Sequence, residues 1–363
     1  MFDSFFSRHW FSEQAKAIWG DRATLQAWLD VEAALAQAQS ELDMVPATAA
    51  QTIKANARAE LFDLDGLAAE IARAQHPFVP VLKQFEAICG EPAAGFIHWG
   101  ATTQNIFDTA AALQLRRCHA LLMEHADASI AAMARLAVQH RDVPQAGRTH
   151  GQHALPMTFG FKVAGWLDEM DRHRARLAAL EGRAFVAVLG GAIGTFAAMA
   201  GRGRAIQARV AEILELMPAT LPMRSSFDRG ADYVGTLGLF AGTAEKIAHE
   251  VAFMQRTEIG EAEESSHLGK VGSSTMAQKR NPSIACNLIG MARMLRSRVP
   301  LALESMVRAD RAMPQRPMSP MRCYPRRRSL PYRSPRSWLS SWTGSSSIPR
   351  SCAATSICPV AVS

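Results

Sequence analysis

Residues 233–254 read Tyr233-Val-Gly-Thr-Leu-Gly-Leu-Phe-Ala-Gly-Thr-Ala-Glu-Lys-Ile-Ala-His-Glu-Val-Ala-Phe-Met254. Tyr233, Leu237, Phe240, Ala244, Ile247, Val251 and Met254 fall at alternating intervals of four and three. A seven-residue apolar repeat held this long predicts a long helix packed lengthwise against others. Gly235, Gly238, Ala241 and Gly242 lie between these positions and let neighbouring helices come close. Small residues on several faces suggest packing on more than one side, and hence oligomerisation.

The same period appears outward from this stretch. Val163, Trp166, Met170, His173, Leu177 and Leu180 repeat it within 161–183. Residues 106–140 hold neither Gly nor Pro, which permits about 50 Å of helix. Leu25, Trp28, Leu29, Leu35 and Ala36 mark a helix over 22–42, and another starts after Pro282 through Leu288, Met291 and Leu295. Strand-like alternation is scarce. The fold class expected is all-α, a bundle of long helices. An N-terminal helical domain is expected over 1–108 and a central bundle domain over 109–310.

The chain has 363 residues, 48% of them hydrophobic, which allows a sizeable core. The uncharged run from Ala184 to Gly201 contains four glycines and is read as a buried hairpin or loop, not a membrane span. The N-terminus lacks the pattern of a signal peptide, so a cytoplasmic location is expected. Six cysteines without a CxxC pair exclude a zinc ribbon and a disulfide framework. The formal charge of +7 suggests a nucleic-acid partner only until it is located. Residues 311–363 hold nine Arg and no Lys, Asp or Glu, with 8 Pro, 12 Ser and 3 Cys. Without them the chain carries 31 basic against 33 acidic side chains, which argues against nucleic acid. That tail reads either as a disordered basic segment or as a GC-rich gene translated out of frame from about Ala309–Arg311.

Three polar islands interrupt the helices, and connecting loops carry chemistry on a rigid scaffold. His98-Trp-Gly-Ala-Thr-Thr-Gln-Asn105 precedes the 106–140 helix. Thr102, Thr103, Gln104 and Asn105 supply neutral donors at a helix N-terminus, suited to an anion or to an ordinary cap. Gly147-Arg-Thr-His-Gly-Gln-His153 offers a fixed cation, Arg148, a hydroxyl, Thr149, and two imidazoles, His150 and His153. Histidine transfers protons well near neutral pH. No carboxylate or thiol stands at ligand spacing, so a metal is not called for. His98, His119, His125 and His173 are read as surface or satisfied core residues. Residues 260–282 form a long Gly-rich polar segment, read as a mobile loop closing over a site. Lys279 and Asn281 near the following helix start suit a carboxylate.

Gly272-Ser-Ser-Thr-Met-Ala-Gln-Lys-Arg-Asn-Pro282 resembles the fumarase/aspartase superfamily signature Gly-Ser-Ser-x-Met-Pro-x-Lys-x-Asn-Pro, departing only at Ala277. The other islands resemble the family's other two conserved regions, in the right order. The resemblance covers residues 1 to about 308. It implies an all-α homotetramer with a twenty-helix core and active sites built from three subunits. It also implies β-elimination from a succinyl-type dicarboxylate without a cofactor, usually releasing fumarate. By motif match, Ser273 is the base and His150 the general acid. Thr102, Thr103, Gln104, Arg148, Thr149, Ser274, Met276, Lys279, Asn281 and Arg229 match substrate-binding positions. His76 resembles a second active-site histidine of the adenylosuccinate lyase branch.

Within the superfamily the nearest branch groups adenylosuccinate lyases with carboxymuconate cycloisomerases. Arg148-Thr-His-Gly-Gln-His resembles the former, whereas His98-Trp-Gly-Ala-Thr, His76-Pro and Phe227-Asp-Arg-Gly-Ala-Asp232 resemble the latter. Met223 stands where adenylosuccinate lyases have a glutamine, and Cys286 where the family has the carboxylate that orients the acid histidine. An adenylosuccinate lyase-like activity is therefore expected first and 3-carboxy-cis,cis-muconate cycloisomerisation second. An inactive truncated or non-enzymatic protein is the alternative of another class.

Overall fold

The computed structural model describes residues 12–265 and 272–308. The expected tail over 311–363 lies outside them. Helix dominates. The described residues fall into two compact units, one of residues 12–117, 181–231 and 301–308, the other of 118–180 and 232–300.

The first unit opens with α1 (Glu13–Trp19), α2 (Asp21–Glu41), α3 (Ala47–Asn56), α4 (Leu64–Ala74) and α5 (Val79–Cys89). The start of α6 (Thr103–Gln139) follows. Ser12 and Asp63 cap α1 and α4 by accepting a backbone N–H through their side chains, the usual role of short polar residues there. The stripe expected on α2 is turned inward: Leu25, Leu29 and Leu35 are all buried. Trp28 stacks on Phe107 at 4.5 Å between ring centres, and Phe78 meets Phe107 edge-on at 5.4 Å. Phe78 also meets His98 at 5.4 Å, so this aromatic cluster floors the first polar island.

The Ala184–Gly201 run, together with α8 (Glu181–Ala184), belongs to this unit. The run does not form a hairpin on itself. Its start is a short strand, β3 (Val186–Ala187), which pairs in parallel with β4 (Met217–Pro218) across α9 (Gly203–Ile213). Thr109 Oγ1 accepts from the Val188 N–H at 3.1 Å, and Asn105 Oδ1 from that of Gly191 at 3.0 Å. Buried backbone donors must be paired, and α6 side chains supply the partners.

The second unit holds the rest of α6, the hairpin β1 (Pro144–Thr149) and β2 (Gln152–Thr158), and α7 (Phe159–Ala178). It continues with most of α10 (Asp228–Met254), α11 (Ser283–Arg296) and the start of α12 (Arg298–Glu304). On α10, Tyr233, Leu237, Phe240, Ala244, Ile247 and Met254 are buried, as the repeat predicts. The α7 stripe is buried too, His173 included. His173 Nδ1 accepts from Arg176, its Nε2 lies 2.8 Å from Thr243 Oγ1, and Thr243 donates to Glu169. His173 is buried with both ring nitrogens partnered, which makes it a core residue. Glu245 of α10 is buried and receives Arg293 and Arg296 of α11, fastening the two helices.

Candidate active site

The second island is not a simple helix entry. It is the hairpin β1–β2, whose register pairs Arg148 with His153 and Thr149 with Gln152. Only His150 and Gly151 remain for the turn, at φ of +53° and +75°. Two consecutive positive φ values match the tight hairpin turn whose twist fits the flanking strands. Glycine takes this conformation freely, whereas an L-residue such as His150 pays about 1–3 kcal/mol, a cost that clusters at functional sites. The turn leaves the His150 imidazole exposed at the tip. Thr149, Gln152 and His153 are exposed beside it.

Arg148, one step back on β1, is taken up within the protein. Its Nη1 donates to Glu261 Oε2 at 2.9 Å and its Nη2 to Glu261 Oε1. Gln145 Nε2 donates to the same carboxylate at 2.7 Å. The Arg148 guanidinium holds the Glu261 carboxyl below the usual carboxylate range.

The signature segment is a loop folded on itself ahead of α11. Ser273 Oγ accepts from the N–H of Thr275 at 3.3 Å and of Met276 at 3.2 Å. The Lys279 N–H closes onto the Met276 carbonyl at 3.2 Å. At the loop neck a Cβ on Gly272 would stand 2.7 Å from the Lys279 carbonyl oxygen, so this approach admits only glycine. Ser274, Met276, Lys279 and Asn281 are exposed. Glu264 caps α11, accepting from the N–H of Ile284 at 3.0 Å and of Ala285 at 2.7 Å. The α11 N-terminus therefore already carries a carboxylate of the protein, in the seat expected for a ligand's. Cys286 lies exposed in the first turn.

The remaining candidates lie in the first unit. Thr102 and Thr103 stand at the start of α6, where Asn105, fully buried, returns its Oδ1 to the Thr102 N–H at 3.2 Å. Gln104 is engaged on every side: it donates to Asp108 Oδ2 at 3.1 Å and to the Arg224 carbonyl at 2.7 Å, and accepts from Arg224 Nε at 3.2 Å. Its amide thereby clamps the 222–226 loop, which holds Met223. Burial pushes the Asp108 carboxyl up to about 7, against the Gln104 hydrogen bond and the charges of Arg308 and Arg224. His76 Nδ1 accepts from the N–H groups of Phe78 and Val79 at 3.2 and 3.1 Å, capping α5. Arg229 occupies the first turn of α10. His98 is bound at Nδ1 to the buried Glu32 carboxylate at 2.6 Å.

A protein-family model described as "Lyase" matches residues 11–296. The chain belongs to this lyase family, within the fumarase/aspartase superfamily. It is 39% identical over 293 residues to the N-acetyl-S-(2-succino)cysteine lyase of Enterococcus italicus, covering 81% of this chain and 64% of that protein. It is 40% identical to the adenylosuccinate lyase of Methanothermobacter thermautotrophicus, covering 80% and 66% respectively. The crystal structure of a 3-carboxy-cis,cis-muconate lactonizing enzyme from Pseudomonas putida superposes with a TM-score of 0.80 at 34% identity, covering 85% of this chain and 69% of that one. The chain thus spans about two thirds of the length of these lyase-family relatives. Among the described residues no helix is long and apolar enough to cross a membrane.

Reading residue types along the chain misses Gln145, Glu261 and Glu264. Glu261 stands in the acidic run Glu258-Ile-Gly-Glu-Ala-Glu-Glu264, and 113 residues separate it from Arg148. The excess of carboxylates just ahead of a cation-bearing loop was the available signal.

Proposed function

We propose that the family fold serves β-elimination from a succinyl group carried on a heteroatom, with release of fumarate. The observation that carries this reading is the setting of Ser273. Two backbone N–H groups aim at its Oγ, and donors to an oxygen favour its anionic form. A serine so placed takes a proton from the carbon beside a carboxylate. The bond from the neighbouring carbon to the heteroatom then breaks, leaving the double bond of fumarate. His150 returns a proton to the departing nitrogen or sulfur. Lys279 and Asn281 hold the carboxylate while it carries the developing charge.

The names of similar proteins support two leaving groups: an amine, as in adenylosuccinate, or a thiol, as in S-(2-succino)cysteine. Adenylosuccinate-like amines stand first here, because Arg148-Thr-His-Gly-Gln-His retains the acid histidine, and the thiol-linked compound is the alternative within the same chemistry. Lactonisation of 3-carboxymuconate is the second reading, favoured by the likeness to the lactonizing enzyme. Assembly into a homotetramer is part of the proposal. Leu239 of α10 is 57% exposed, and a Cβ on the adjacent Gly235 would meet nothing, a face suited to another helix.

The test is ultraviolet detection of fumarate from N-linked and S-linked succinyl compounds, with Ser273→Ala beside the unaltered chain. Loss of a catalytic base costs about 10²–10⁴-fold. Fumarate from either compound, lost in the variant, supports the reading. Consumption of 3-carboxymuconate without fumarate from any succinyl compound favours the second reading, and turnover undiminished in Ser273→Ala removes the serine from the chemistry.

A further inference from the structure

We propose that Glu261 is a positioning residue for the His150 hairpin, and that residues 255–264 form one strut shared by that hairpin and the Ser273 loop. The role given to Glu261 rests on the reading of His150 as the acid. Both contacts from the hairpin come from β1. Gln145, itself buried, and Arg148 converge on the one carboxylate, 2.7 and 2.9 Å away. Arg148 lies two residues before His150, so the point at which β1 is fixed is adjacent to the turn. A forked guanidinium on a carboxylate fixes direction as well as distance, because two parallel N–H donors must both be met.

The strut is held at its own base. The Glu261 N–H donates to the Met254 carbonyl at 2.9 Å, continuing the end of α10. Gln145 Nε2 also lies 3.2 Å from Met254 Sδ. Other residues of the same ten grip the signature loop where it leaves for α11. Gln255 Nε2 donates to the Arg280 carbonyl at 3.1 Å, and its Oε1 accepts from the Glu264 N–H at 3.0 Å. Glu263 pairs with Arg280 at 3.0 Å, and Glu264 caps α11. The proposed acid and the proposed base thus hang from one short acidic segment. Neither Glu261 nor Gln145 needs to touch substrate to affect turnover. A misplacement of about 1 Å far from the chemistry can cost on the order of 10²-fold.

The experiment compares the 363-residue chain with Glu261→Gln, which keeps the side chain's size and removes the charge that pairs with Arg148. Amide hydrogen exchange is read over residues 144–158, and kcat and KM for fumarate release are read alongside. Exchange in the hairpin should rise about tenfold while α7 and α10 keep theirs. The kcat should fall about tenfold or more with KM within about threefold, and Glu261→Asp should restore part of it. If Glu261→Gln loosens α7 and α10 as well, Arg148→Lys replaces it, trading the fork for a point charge, and must loosen the hairpin alone. Unchanged hairpin exchange, or unchanged kcat in a loosened hairpin, overturns the proposal. If the unaltered chain releases no fumarate from any succinyl compound, the lyase reading fails, and the exchange comparison still decides whether the strut exists.

Discussion

Gly272 and Lys279 close the neck of the Ser273 loop, the position of a Cβ on the one lying 2.7 Å from the carbonyl oxygen of the other. The neighbour in this contact is backbone, which cannot swing aside as a flexible side chain can. Gly272→Ala must therefore spread the neck, and the turn that brings the Thr275 and Met276 amides to Ser273 Oγ is built on that neck. The expected result is a loss of fumarate release by about tenfold or more. The melting temperature should move little, because the loop is exposed and away from the apolar stripes. Steady-state kinetics beside a thermal melt check both halves.

His98 and Glu32 give a pH-dependent contribution to the first unit. Burial alone would pull the His98 pKa down, but the Glu32 carboxylate at 2.6 Å overcomes it and raises the value above its ordinary 6.5. A histidine whose folded pKa is raised contributes stability that is present in full below its unfolded value. That contribution is lost as pH rises through the folded value. Glu32→Gln should drop the His98 pKa below 6.5 and remove this alkaline loss. Titration of the imidazole by NMR measures the first, and urea unfolding across the window measures the second.

Asp108 gives the opposite chemistry with the same direction. Its carboxyl is pushed from 3.8 up to about 7, so over that interval the folded chain binds a proton that the unfolded chain has released. Stability from this site falls as pH rises from about 4 to about 7. Asp108→Asn keeps an oxygen to accept from Gln104 and removes the titration. Urea midpoints at pH 5 and pH 8 should differ less in the variant than in the unaltered chain.

The helices were legible because burial imposes a period on them. The stripes on α7 and α10 required only counting, and α6 spans Thr103–Gln139 against an expected 106–140. The hairpin was not legible, since its residues carry no alternating apolar pattern. Residues 152–156 of β2 are exposed throughout. What makes it a hairpin is a two-residue turn that tolerates positive φ and a carboxylate from far along the chain. The candidate residues themselves were readable from their motifs. Their engagement was not, because Gln104 and Arg148 meet partners that no spacing reveals.

The cap that His76 places on α5 decides more than where that helix begins. A ring nitrogen that accepts from two amides carries no proton, so the proton of the neutral ring sits at Nε2, and the ring offers its surroundings a donor there. It is sorted into one tautomer before anything arrives. Such a ring can greet an oxygen-rich guest without first shifting a proton, and it has nothing to offer an ammonium group. The fold has thus fixed where this ring can donate by means of two backbone N–H groups.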